Sequence, residues 1–487
     1  MIPGHLEPIL NRWLSPLGND LPDCCVVGGA VRDSLLGRPP RDVDIVCAEA
    51  AALAGRAGAG QTPPAALVDL SRKRHTPCFR LINRKRPDDF IDILEINGPN
   101  LEADLRQRDF SINAMARPVH AGGRPGPLFD PLKGNDDLRA RLIRYVSPQA
   151  LRHDPLRVLR GVRLAAELEF TIEPETLRSM KKNAVNLSRT ACERIQGELL
   201  TILANRAGAR YIRLLDEIGA LEVIIPEIIP MKGCRQNDWH HLDVWNHCLE
   251  TLRHCEALLN RPEELFGRTA PAVMASLPPA HGLPLLKLAA LLHDIAKPVT
   301  RQFQPDKNKT IFHGHARAGR DMIAVVADRL RLSAADKNFL TRLVGHHMRP
   351  LALSRPEALE KTTIKWFRAV DTDGLAVIML AAADMAAKAG RKTNPADGDR
   401  LRRWAARTAA DYLNSLKKTL AAESLVSGHD LAAMGMKPGP EMGRVLAALR
   451  DRQDQGRLVT REEALDLAEK ILREKDAGDY SGDKATT

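Results

Sequence analysis

Val27-Gly28-Gly29-Ala30-Val31-Arg32-Asp33-Ser34-Leu35-Leu36-Gly37, followed by Asp42-Val43-Asp44-Ile45-Val46, is the stretch that decides the fold of the N-terminal part of this chain. Cys24-Cys25-Val26-Val27 predicts a strand ending at the glycine pair, Ala30 to Leu36 a short helix, and Val43 to Val46 a second strand. Glycines let the backbone come close to a phosphate, and the start of the following helix favours its negative charge. Arg32, one turn into that helix, adds a charge-assisted donor. On a strand, residues i and i+2 share a face, so Asp42 and Asp44 project together. Carboxylates held that close repel, and a hard cation such as Mg²⁺ relieves the repulsion. Either feature alone reads as a tight turn or a solvated strand edge. One short helix apart, they read as a phosphate and metal site.

Outward from this stretch, Phe90-Ile91-Asp92-Ile93-Leu94 predicts a third strand, and the Ala/Gly/Pro-rich residues 50–66 a helix start running into a loop. From Pro148 to about Pro230 the pattern turns helical, with Leu156, Leu159, Val162 and Leu164 on one face and Arg157, Arg160 and Arg163 on another. Residues 231–395 hold ten of the fifteen histidines, and residues 396–487 are Ala/Leu/Arg-rich and helical, with Thr460-x-x-Glu463 a capping box. The expected class is α+β, a small head on a long, mostly α-helical body. Its expected pieces are 1–147, 148–230, 231–395 and 396–487.

A chain of 487 residues exceeds what one core organises. Its net charge of +11 suits a polyanionic partner such as nucleic acid, or simply a basic soluble protein. Aromatic residues make up only 4%, too few to announce base-stacking platforms. The eight cysteines form no CxxC pair and read as reduced thiols. No apolar run reaches the roughly 18 residues of a membrane span, and Met1 to Leu14 lacks the signal-peptide pattern. These readings give the expectation of a soluble cytoplasmic protein without a membrane partner.

The Val27–Gly37 and Asp42–Asp44 stretch resembles the first motif of polymerase-β-type nucleotidyltransferases, specifically the class II bacterial tRNA CCA-adding and poly(A) polymerase family. Arg108-Asp109-Phe110-Ser111-Ile112-Asn113-Ala114 resembles its second motif. The resemblance implies a polymerase-β-like head, Mg²⁺ on catalytic Asp42 and Asp44, and nucleotide contacts from Gly28, Gly29, Arg32, Arg108 and Asp109. Asp92 is a candidate third carboxylate. The implied activity is addition of C and A from CTP and ATP to the 3′ end of tRNA.

His153-Asp154-Pro155-Leu156-Arg157 resembles that family's base-selecting motif, in which Glu usually stands where this chain has His153. Cytosine and adenine both present an amino donor beside a ring-nitrogen acceptor, so a carboxylate and a guanidinium together match either. Asp154 and Arg157 are therefore the expected base readers, with Arg160 nearer the phosphates. Read alone, the segment is a helix start with Asp154 as cap and Pro155 in the first turn. Glu193-Arg194-Ile195-Gln196-Gly197-Glu198-Leu199 resembles a further motif, expected to brace the neck.

His247, His293-Asp294 and Asp384 follow the order of the HD metal-dependent phosphohydrolases, and Leu291 to Pro298 matches their local context. That resemblance implies a second site for a transition metal such as Ni, Mn, Co or Fe. His313, His315, His346 and His347 are further candidates there. Ser427 to Leu431 and Gly435 to Gly443 resemble the family's C-terminal module, where Gly439 and Pro440 read equally as a phosphate-facing helix start or a plain loop. Poly(A) polymerases carry a Gly-Arg-Arg-Phe-like signature that Leu70 to His75 lacks, which favours tRNA. CC-only and A-only addition share most of these motifs. A phosphohydrolase with a nucleotide-sensing head is the reading from another class.

Overall fold

The computed structural model describes residues 5–71, 76–237, 239–278, 281–390 and 392–476, which leaves Arg72 to His75 of the signature segment outside the described residues. The chain divides into two compact units, Met1–Pro226 and Glu227–Thr487.

The first unit opens with a seven-stranded mixed sheet. Its strands are β1 (Cys24–Val27), β2 (Asp44–Cys47), β3 (Ala66–Asp69), β4 (Cys78–Asn83), β5 (Arg86–Glu95), β6 (Ala116–His120) and β7 (Arg124–Pro125), in the spatial order β3-β4-β5-β2-β1-β6-β7. β1 runs antiparallel to both β2 and β6, whereas β2 and β5 are parallel with Asp44 opposite Asp92. A parallel pair needs a crossover. The helix Ala50–Ala59 and the β3–β4 hairpin supply it, in the Ala/Gly-rich stretch read as a helix running into a loop. Val26, Val27, Ile45, Val46, Ile91 and Ile93 are buried, which fixes the register because a one-residue slip would turn them to the opposite face.

Helices follow from Pro148 onward within the same unit. Arg157–Leu168 buries Val158, Leu159, Val162, Leu164, Ala165 and Leu168, the face read from the sequence. In the second unit, the helices Gly282–Leu292 and Gly374–Ala386 are buried almost all round, and Val244–Asn260, His315–Arg329 and Ala334–His346 accompany them. The last helices bury a cluster of their own that includes Leu431, Met442, Val445, Leu449 and Ala464. The Thr460 hydroxyl accepts from the Glu463 amide while the Glu463 carboxylate accepts from the Thr460 amide, completing the expected capping box. Among the described residues no helix is long and apolar enough to cross a membrane.

Candidate active site and histidine centre

The ten residues expected to bind metal, nucleotide or base in the first unit, from Gly28 to Arg160, line one cavity of about 620 Å³, which the candidate Asp92 does not border. Gly28 sits at the β1-to-helix turn with φ +75°, a left-handed conformation that favours glycine. A Cβ there would lie at ordinary contact distance, 3.9 Å, from an Asp44 carboxylate oxygen but only 3.0 Å from an Arg108 guanidinium nitrogen, so the bare turn lets Arg108 approach. The helix it opens, Gly29–Leu35, carries Arg32, which donates to Asp33 at 2.8 Å and to the Asn113 side chain at 2.7 Å. Asn113 thereby ties the second motif to the glycine turn.

Asp44 begins β2, and Asp42 stands exposed two residues before it, so the strand starts one residue later than read. The Asp92 amide donates to the Val43 carbonyl at 3.0 Å, which keeps the acidic segment on the ladder. Asp92 is nearly buried and accepts a two-point contact from Arg80 at 2.7 and 3.0 Å. Arg80 is therefore a site neighbour that no motif announced; its only signal was a cation across a hairpin from the acidic strand. Paired aspartates at the head of a strand, with a third in register beside them, are the oxygen-donor set that Mg²⁺ takes.

Arg160 Nε lies 2.6 Å from the Asp109 carboxylate, which also accepts from the Phe110 amide at 2.8 Å and the Asn113 amide group at 3.2 Å. Burial alone would push this carboxyl up, but Arg160, Arg157 and these bonds outweigh it and hold it below the ordinary range. Arg108 pairs with Asp104 at 3.0 Å.

Asp154 and Arg157 both border the cavity, and the Arg157 amide donates to the Asp154 carbonyl at 3.0 Å while their side chains take other partners. Asp154 ends the helix Pro148–His153, before the helix Arg157–Leu168 begins, and accepts from Arg194 at 2.7 and 3.3 Å. The Arg157 guanidinium donates to the backbone carbonyls of Gln107, Arg108 and Ala150 at 2.8, 2.9 and 3.3 Å. Arg157 thus clamps the neck helix to the second motif. Arg194, read only as a neck residue, is the missed partner of Asp154. Within the same motif Glu198 accepts from Arg163 at 2.6 Å, which joins the helix Cys192–Ala204 to Arg157–Leu168. His153 is exposed and does not border the cavity.

In the second unit His247, His293, Asp294 and Asp384 converge as expected, all at most 5% exposed. His247 Nε2 lies 3.0 Å from Asp384 Oδ1, and His293 Nε2 lies 3.2 Å from Asp294 Oδ2. Three sets of side chains bring ligand atoms within 4.8 Å of one another: His247, His293 and Asp384; Cys248, His293 and Asp294; Asp294, His315 and His347. His315 and His347 thus join the centre, their Nε2 atoms 3.4 Å apart, while His313 lines the cavity above it and His346 joins none of these sets.

Burial lowers His247, and it takes His347 to about 3 and the neighbouring His240 to about 2. Burial opposes ionisation of Asp294 and Asp384, yet His293 with Lys297 and Lys388 with His247 outweigh it and keep both well below the ordinary range. Burial opposes protonation of His293 too, but Asp294 outweighs it and raises that imidazole well above the ordinary range. With His247, His315 and His347 lowered, imidazoles beside ionised carboxylates form a donor set that a divalent transition metal takes. His293 Nε2, buried and without an aligned hydrogen bond although Asp294 and Asp384 oxygens lie 3.2 and 3.7 Å away, agrees with that use. Lys297, 2.5 Å from Asp294, and Lys388, 2.7 Å from Asp384, were not singled out from the sequence.

Comparison with known proteins agrees with this geometry. Residues 24–144 match the poly(A) polymerase head domain, 169–232 the "Probable RNA and SrmB- binding site of polymerase A", and 244–384 the HD domain. The A-adding tRNA nucleotidyltransferase of Deinococcus radiodurans is 34% identical over 93% of this chain and 96% of its own. The CC-adding tRNA nucleotidyltransferase of Thermus thermophilus is also 34% identical, over 91% and 92%. The Thermotoga maritima CCA-adding enzyme complexed with tRNA-CCA shares the fold, with a TM-score of 0.59 at 21% identity over 96% of this chain and 95% of that one. A polymerase head with its acidic pair in a shared cavity makes this protein a nucleotidyltransferase. The chain belongs to the tRNA nucleotidyltransferase and bacterial poly(A) polymerase family, with an HD domain in its second half.

Proposed function

We propose that the protein adds C, C and A from CTP and ATP to the 3′ end of tRNA, working in the cytoplasm. The observation that carries this reading is the single cavity where the glycine turn, the acidic pair and the neck residues Asp154 and Arg157 meet. In this reading the Gly28-Gly29 turn, Arg32 and Arg160 hold the triphosphate, while Arg108 and Asp109 position the sugar and close the pocket. Mg²⁺ held by Asp42 and Asp44 would supply charge neutralisation for the triphosphate and activation of the attacking hydroxyl. Asp154 accepts from the amino group that cytosine and adenine share, and Arg157 shifts from its backbone carbonyls to donate to the adjacent ring nitrogen. Uracil and guanine present a carbonyl to that carboxylate and leave it unpaired, which costs about 1–3 kcal/mol.

One acceptor and one donor therefore serve both substrates, in keeping with a chain equally identical to an A-adding and a CC-adding relative. The working division is a head to residue 147, a neck to 230, an HD domain to 395 and an RNA-binding tail beyond. The histidine centre fits a transition metal and the hydrolysis of phosphoesters, a second activity separate from the first. A trimmed tRNA tests the principal reading: the parent extends it with CTP and ATP, and Asp42→Ala, which keeps the fold and tRNA binding, extends it with neither. Near-normal extension by that variant would remove the assignment.

A further inference from the structure

The second unit contains a cavity of about 940 Å³, one wall of which belongs to the segment beyond residue 395 that the reading above gives to RNA binding. One wall is the helix Pro395–Asp411, where Arg400, Arg403 and Arg407 recur at i, i+3 and i+7 and so share a face, with Arg355 bordering the same space. Arg355, Arg403 and Arg407 are exposed and make no ion pair among the described residues. The acidic groups of the wall do not answer them. Asp454 is taken by Arg368 and by Arg450 at 3.4 Å, which leaves Asp411 against the cluster. Arg400 pairs with Asp397 at 2.7 Å but has its Nε buried without a hydrogen-bond partner. The helix continues into a π-helical turn, Tyr412–Leu416, whose Ser415 and Leu416 also border the cavity. Such turns are uncommon and frequent at functional sites.

We propose that this arginine-lined cavity binds the phosphodiester backbone of a single nucleic-acid strand and leads it toward the histidine centre. Two observations favour a strand over one small anion. From Arg400 to Arg407 the cationic face spans about 10 Å of helix, more than one phosphate occupies. The cavity also adjoins the histidine cavity: Arg355 borders both, and Asp397, the partner of Arg400, borders the histidine side. The hydroxyl of Thr363 on the wall adds a neutral donor that suits a phosphate oxygen without reading sequence. The assignment rests on the RNA-binding reading of the segment beyond residue 395 and is separate from nucleotide addition in the first unit.

The test uses the full chain and a twelve-nucleotide single-stranded RNA carrying 4-thiouridine. Irradiation should cross-link it to peptides spanning 395–411, and Arg403→Glu with Arg407→Glu should remove those adducts while leaving adducts on residues 28–44. Arg402→Glu, exposed on the same helix outside this cavity, is the charge control. Neutralising the pair with Arg403→Ala and Arg407→Ala should lower affinity on the order of tenfold in 0.1 M salt and reduce the salt slope by about 1.4. Inorganic phosphate and AMP should not compete at concentrations at which the unlabelled strand displaces the probe. Absence of adducts on 395–411, their survival in the charge-reversed pair, or equal competition by phosphate would each overturn the proposal.

Discussion

Asp109 is a nearly buried carboxylate kept ionised by the cations and donors around it, so its contribution to stability depends on pH. Its folded pKa lies below the unfolded value of about 3.9, so the stabilisation is fully present above that value and is lost as pH falls through the lowered one. Asp109→Asn should therefore destabilise the first unit by about 1–3 kcal/mol at pH 7, with the difference shrinking as pH drops below about 4. Urea unfolding at pH 7 and at successively lower pH reads this, and a pH-independent difference would contradict it. At Asp154 the consequence is selectivity. Asp154→Ala should narrow the preference for CTP and ATP over UTP and GTP by about tenfold to a hundredfold. Arg194→Ala, which frees the carboxylate without removing it, should slow addition and weaken selection less. Single-turnover incorporation of each nucleotide measures both, and an Asp154→Ala enzyme that is slow but fully selective would place selection elsewhere. The place of Asp154 at the cavity was legible in the sequence. Its partner Arg194 was not, because forty residues separate the two and only the folded neck brings them together.

At the scale of elements, the strand–turn–helix–strand unit was readable because short apolar, β-branched runs, a glycine pair and paired aspartates fall within residues 24–47. The parallel pairing of β2 with β5 was not, since strand neighbours separated by a helix and a hairpin leave no local trace. Asp92 consequently stood only as a candidate until the register set it beside Asp44. The neck helix meets the second motif where Gly161 faces Phe110. A Cβ at Gly161 would fall 2.8 Å from the Phe110 ring and 3.1 Å from the Met180 methyl, and Phe110 is fully buried. Gly161→Ala should cost about 1–3 kcal/mol through overpacking, seen as a lower urea midpoint. An unchanged midpoint would mean that the ring yields freely. Arg157 adds a polar clamp at the same junction, with three backbone carbonyls as acceptors.

For the whole molecule, the two sites are built in separate compact units, so they should fail separately. His293→Ala combined with Asp294→Ala should lose bound transition metal, measured by elemental analysis, and keep nucleotide addition. Full metal occupancy in that variant would show that the ligands lie elsewhere. The order of histidine and aspartate motifs made this centre legible; Lys297, Lys388 and His240 joined it only through folding, because lysines near a metal motif look like surface residues in sequence. The central claim is one protein adding C, C and A, and its most direct test is to sequence the products. Purified enzyme is given all four nucleotides and three tRNAs, ending before CCA, after C and after CC. Every tRNA should finish as CCA and stop there. Products that halt at CC, an A joined only to the CC-ended substrate, or runs of A would contradict it.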